Sequence, residues 1–133
     1  ETDDEFEETY RMYDELEWDF CYLAQYSPRS GTVAEKMMED DVPRAVKKVR
    51  WERLNSLMKE KVFKKNKTYL GKTVEVLVEK CEPIKNRPGF SLATGRTPCF
   101  KEVHIETGRD LKDQFVVAKV TKALEWVLRG ELV

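Results

Sequence analysis

Two hydrophobic periods share this chain, and the switch between them falls near Gly71. At the start, Phe6, Tyr10 and Tyr13 recur at helical spacing, with Met12 and Leu16 beside them. Thr2 followed three residues later by Glu5 is a capping-box signature, so a helix is predicted over about Asp3 to Glu15. Its first turn is acidic, which suits the positive end of the helix dipole. From Trp18 to Tyr26 the pattern alternates. Trp18, Phe20, Tyr22, Ala24 and Tyr26 fall on one side, Cys21 and Leu23 on the other. That predicts a strand covered on both faces, as in an α/β sheet or barrel. A Pro/Gly loop, Ser27–Thr32, follows, and then a short helix over Val33–Glu39. Pro43, preceded by Asp40 and Asp41, suits a helix first position. A long helix runs from there to about Lys67, with Val46, Val49, Leu54, Leu57, Met58 and Val62 as its apolar stripe.

Beyond Gly71 the period is two. Val74, Val76 and Val78 alternate with Glu75, Leu77 and Glu79, and Val116, Ala118 and Val120 alternate with Phe115, Val117 and Lys119. Phe90–Thr97, Lys101–Glu106 and Trp126–Val133 are further strand candidates, and Gln114–Lys122 contains the second alternating run. Turn signals separate them at Arg87-Pro88-Gly89, Thr97-Pro98 and Thr107-Gly108-Arg109-Asp110. Five short strands at this spacing predict a small closed or nearly closed OB-like barrel. The expected class is α+β: a helix and strand, a long connecting helix, then a five-stranded antiparallel barrel.

Charge sharpens this division. The net charge of −1 conceals a split. Residues 1–42 carry 3 basic and 14 acidic side chains, whereas the remainder carries 21 and 11. The basic part is the candidate for a polyanion partner, although solvated helix faces give the same composition. The three cysteines, Cys21, Cys81 and Cys99, are far apart and lack C-x-x-C spacing, so a zinc or iron–sulfur site held by this chain alone is not expected. Reduced thiols in a cytoplasmic protein are the expectation. No apolar run approaches the ~20 residues of a membrane span. The opening Glu1-Thr2-Asp3-Asp4-Glu5 has neither Met nor a leader pattern and reads as a cut within a longer protein.

Several short motifs then fall in order. Tyr26-Ser27-Pro28-Arg29-Ser30-Gly31-Thr32 is followed by Asp40-Asp41-Val42-Pro43 and the basic helix. Gly71-Lys72, Val76-Leu77-Val78-Glu79, Gly95-Arg96-Thr97, Phe100-Lys101-Glu102-Val103, Val120-Thr121-Lys122-Ala123 and Leu128-Arg129-Gly130-Glu131 follow. Together they resemble the end of the radical-SAM domain and the TRAM domain of tRNA methylthiotransferases, over the whole chain. Ser30 and Val33 depart from that pattern, where the family prefers Pro. The isopentenyladenosine type is the subfamily most similar. The alternatives are the threonylcarbamoyladenosine-tRNA or ribosomal-protein types, or a non-catalytic RNA-binding TRAM module.

The resemblance implies residues 1–42 as the end of a radical-SAM domain, 43–67 as a connector helix and 68–133 as a TRAM domain. The intact family enzymes use two 4Fe–4S clusters and S-adenosylmethionine. This chain lacks their cluster cysteines, holds no cofactor and is expected to be inactive alone. Its expected partners are a tRNA anticodon stem-loop and the missing N-terminal and radical-SAM domains, with no membrane. Candidate RNA contacts are Lys72, Phe90, Arg96, Phe100, Lys101 and Arg129, each with the alternative of an exposed charge or a core phenylalanine. Arg29 and Thr32 are candidates for a place near the nucleotide or S-adenosylmethionine.

Overall fold

A computed structural model describes all residues 1–133 and divides the chain into two units. One comprises Glu1–Glu17 and Cys21–Met58; the other comprises Trp18–Phe20 and Lys59–Val133. No helix is long and apolar enough to cross a membrane.

In the first unit, α1 spans Asp3–Glu15 and opens on the expected capping box: Glu5 N donates to Thr2 Oγ1 at 3.2 Å, and Thr2 N donates to the Glu5 carboxylate at 2.7 Å. Two donors without intrahelical partners are satisfied at once. Phe6 is buried, under the guanidinium groups of Arg50 and Arg53, each about 5 Å from the ring centroid. The short α2 spans Val33–Met37 and α3 spans Arg44–Lys67, both close to expectation.

Two readings of this region are corrected. Residues 18–26 form no strand: they make no ladder, and Tyr22 and Tyr26 are exposed. A strand exists only against a partner strand. The five strands of this chain close upon one another and offer no free edge. The second correction is Val49 of the long helix. It is exposed, whereas Arg50 takes the buried place on its row, four residues from both Val46 and Leu54. Arg50 can lie there because its donors are met. Nη1 reaches the Glu1 carbonyl and carboxylate at 2.9 Å each, and Nη2 reaches Asp3 at 2.7 Å.

The second unit is a closed barrel of β1 (Thr73–Pro83), β2 (Ser91–Arg96), β3 (Glu102–Thr107), β4 (Phe115–Ala123) and β5 (Leu128–Leu132), ordered β1-β2-β3-β5-β4. Four contacts are antiparallel, but β3 pairs with β5 in parallel, which corrects the all-antiparallel expectation. The reason is parity: strand direction cannot alternate all the way around a ring with an odd number of members. The register slips at Glu79 in β1 and Thr121 in β4 add the local twist that closure requires.

Inward positions form the core, with Val76, Val78, Ala93, Val103, Ile105 and Leu128 essentially inaccessible. Gly95 is demanded by this closure. A Cβ there would lie 2.3 Å from the Leu77 carbonyl oxygen. Asn66 of α3 is buried and donates through Nδ2 to the Leu124 carbonyl at 2.9 Å, tying the β4–β5 loop to the helix end. Phe20 meets Trp126 edge-on at 5.8 Å, and Asp19 is held by Lys65 and Lys101.

Candidate nucleic-acid interface

The alternation that fills the barrel also decides what faces out. Leu77 pairs across β1 with Arg96 of β2 on one side and with Phe115 of β4 on the other, so these three side chains form one outward row. The β2–β3 turn adds Phe100, and together they line a groove of about 280 Å³ with Pro98, Glu75 and Glu79. Phe100 is 73% exposed and Phe115 69%, which is unusual for residues that carry so much apolar area. Arg96 lies beside the Glu79 carboxylate at 3.6 Å, on the same outward face.

Phe100 also has a backbone φ of +62°. For a residue with a Cβ this costs about 1–2 kcal/mol. The turn holds it there. Phe100 N donates to the Thr97 carbonyl at 2.9 Å, and Thr97 N donates to the Lys101 carbonyl at 3.0 Å. Lys101 N donates to Thr97 Oγ1 at 3.1 Å.

A second groove, of about 300 Å³, opens over β3, β4 and β5. Arg129 pairs with His104 on one side and Lys122 on the other, so three nitrogen-bearing side chains stand in a row across three strands. His104 Nε2 lies 2.7 Å from Glu102. Thr121 and Leu92 complete the lining, and Glu106 and Glu131 set carboxylates beside the row.

The remaining candidates are scattered. Phe90 lies at the end of the β1–β2 hairpin under the Arg87 guanidinium, 4.3 Å from the ring centroid. Arg87 is itself paired with Glu106. Lys72 is exposed just before β1, with its ammonium 5.8 Å from the Tyr69 ring. Lys101 is buried: Nζ donates to the Asp19 carbonyl at 3.0 Å and lies 3.4 Å from its carboxylate. Burial pushes its pKa down against the pull of the Asp19 charge. At Asp19 burial acts upward, but the Lys65 hydrogen bond and the Lys101 charge outweigh it and hold the carboxyl below its ordinary range. Lys101 is thus spent on holding residues 18–20 to the barrel, and its charge is not presented to a phosphate. Its parity gives this away, since Lys101, Val103 and Ile105 alternate on the inward side. The same parity marks Phe115 and Leu77 as outward, whereas Lys122 shares the parity of Ala118 and Val120 and is turned outward by the register slip at Thr121. None of these three is among the candidates drawn from the sequence.

In the first unit, Thr32 is the N-cap of α2: its hydroxyl accepts from Glu35 N at 3.3 Å and donates to the Arg29 carbonyl at 2.8 Å. Gly31, at φ +85°, makes the turn, and its N–H donates to Glu35 at 2.7 Å. Arg29 is exposed. Neither Arg29 nor Thr32 lines the roughly 350 Å³ cavity of this unit, whose walls include Phe6, Leu23, Tyr26 and Trp51.

Residues 67–133, which contain all five strands, match the model of the TRAM domain. The chain belongs to the TRAM-domain family. Over its full length it is 46% identical to the tRNA-2-methylthio-N(6)-dimethylallyladenosine synthase of Bacillus mycoides (strain KBAB4) and 45% identical to that of Bacillus subtilis (strain 168). The protein of the same name from Geobacillus thermodenitrificans (strain NG80-2) is 46% identical over 99% of the chain. The chain spans about a quarter of the length of these relatives. The resemblance to tRNA methylthiotransferases read from the sequence is borne out by these matches.

Proposed function

We propose that this chain is the tRNA-holding part of a radical-SAM methylthiotransferase that modifies isopentenyladenosine beside the anticodon. The TRAM barrel grips the anticodon stem-loop, residues 43–67 connect it, and residues 1–42 complete the radical-SAM domain. The observation that carries this reading is the outward row Lys122–Arg129–His104 on a TRAM barrel whose relatives are named for a modified tRNA adenosine. Side chains spaced across neighbouring strands suit a phosphodiester track, and such contacts give affinity that falls with salt. Taking a base out of its stack costs a few kcal/mol, which contacts of this kind offset.

The parent enzyme would supply S-adenosylmethionine and two 4Fe–4S clusters for the sulfur chemistry. Within this chain no three His, Cys, Asp or Glu side chains are gathered to hold a metal, and Cys21, Cys81 and Cys99 are unassigned to that chemistry. The chain's own part is to bind and orient RNA. Binding to an anticodon stem-loop, with and without isopentenyl on the adenosine, at two salt concentrations tests this. Affinity that falls steeply with salt is expected. Absence of binding at low salt would overturn it.

A further inference from the structure

We propose that the groove between Phe100 and Phe115 is a subsite for an unpaired nucleobase, seated by stacking and favouring bases that carry an exocyclic amine. The proposal rests on the RNA-binding reading above and goes beyond it, because it names which part of the RNA enters which groove.

Three observations converge. First, two phenyl side chains are more than two-thirds exposed on a barrel whose hydrophobic core is aliphatic. Exposed aromatics on a small barrel are the means by which single-stranded nucleic acid is held through base faces. Second, Phe100 is displayed under constraint. Thr97 and Lys101 on either side are buried and hydrogen-bonded, and Lys101 is anchored to Asp19, while the intervening Phe100 stands outward with positive φ. Unfavourable backbone geometry maintained by surrounding contacts is a mark of functional loops. Third, the charges favour a phosphate elsewhere. Glu75 and Glu79 outnumber Arg96 here, whereas the row at Arg129 sets two cations against Glu131 and a Glu106 already paired with Arg87, so a phosphodiester is better placed there and a neutral ring here. Those carboxylates can accept from the amine of adenine or cytosine, and the Arg96 guanidinium can donate to a ring nitrogen or carbonyl oxygen. The groove is thus the counterpart of the row at Arg129, with one for bases and the other for backbone.

The test uses the whole chain and unstructured oligomers of about eight adenosines, cytidines or uridines. Phe100→Ala and Phe115→Ala should each weaken binding of the adenosine oligomer by about 5- to 150-fold, the range for one base–aromatic stack. Neither should alter the slope of affinity against salt, whereas Arg129→Ala should reduce it by about one. Phe115→Leu, which keeps apolar bulk without a π face, should stay weak. Uridine should bind less tightly than adenosine or cytidine, and Glu79→Gln should narrow that gap. Since both phenylalanines are exposed, loss of the fold is not the expected result, and circular dichroism checks it. Undiminished binding by both alanine variants, or full affinity in Phe115→Leu, would overturn the subsite while leaving the RNA-binding reading in place. If the wild-type chain binds neither these oligomers nor the stem-loop, both fall together.

Discussion

The barrel and the unit that contains α1 reach stability by opposite routes. In the barrel, strands close a ring and the hydrophobic core they enclose is aliphatic. In the other unit, Phe6 is capped by guanidinium groups, and charged side chains bind the parts together: Arg50 to Glu1 and Asp3, Arg53 to Glu7. Tyr22, Met37 and Met38 there are left at 83, 80 and 67% exposure. The difference shows what closure provides. A ring satisfies its own backbone and buries one face of every strand, while an open arrangement relies on polar contacts that water and salt can replace.

The largest effect should come from breaking the ring at its tightest point. Gly95→Ala pushes a Cβ into the Leu77 carbonyl, and a loss of about 2–4 kcal/mol in barrel stability is expected by chemical denaturation, with α1 helicity unaffected. Ile105→Ala should cost about 2–4 kcal/mol by leaving a cavity in the core. Arg50→Ala acts on the other side of the comparison. It removes three charge-assisted hydrogen bonds and the cover over Phe6, so about 1–2 kcal/mol is expected there, measured by loss of helix signal, with the barrel transition unmoved.

How far these regions were legible in the sequence follows the same line. Alternation in Val74–Glu79 and Phe115–Val120 was enough to place β1 and β4, because a strand with one buried face advertises it. The aromatic alternation of Trp18–Tyr26 looked as strong and gave no strand, because pairing belongs to two segments and this one has no partner in the chain. Parity alone separates Lys101 from the exposed cations, since it shares the side of Val103 and Ile105. The parallel β3–β5 contact was beyond local pattern, since it is a property of the closed ring.

Acid should separate the regions further, by a smaller margin. Glu5 is held below its ordinary pKa chiefly by the Thr2 backbone hydrogen bond, Glu7 by the Arg53 hydrogen bond, and Asp19 by Lys65 and Lys101 against its burial. For carboxyls whose folded pKa is depressed, the stabilisation is complete above the unfolded value and is lost as pH falls through the folded one. As pH falls through these lowered pKa values, α1 helicity should therefore decline, and the hold of Lys101 on residues 18–20 should weaken as Asp19 protonates and removes its counter-charge. A pH titration of circular dichroism, beside tryptophan fluorescence in a chain carrying Trp18→Phe and Trp51→Phe, follows each loss separately. The smallest effect belongs to Arg29→Ala, an exposed loop position, where stability should change by less than about 0.5 kcal/mol.

The most direct test of the central claim is amide hydrogen exchange of the chain with and without an anticodon stem-loop. Protection confined to the barrel's outward rows, around Leu77, Arg96–Lys101, Phe115 and Lys122–Arg129, is the predicted result. Protection over residues 1–58 with none on the barrel would contradict it.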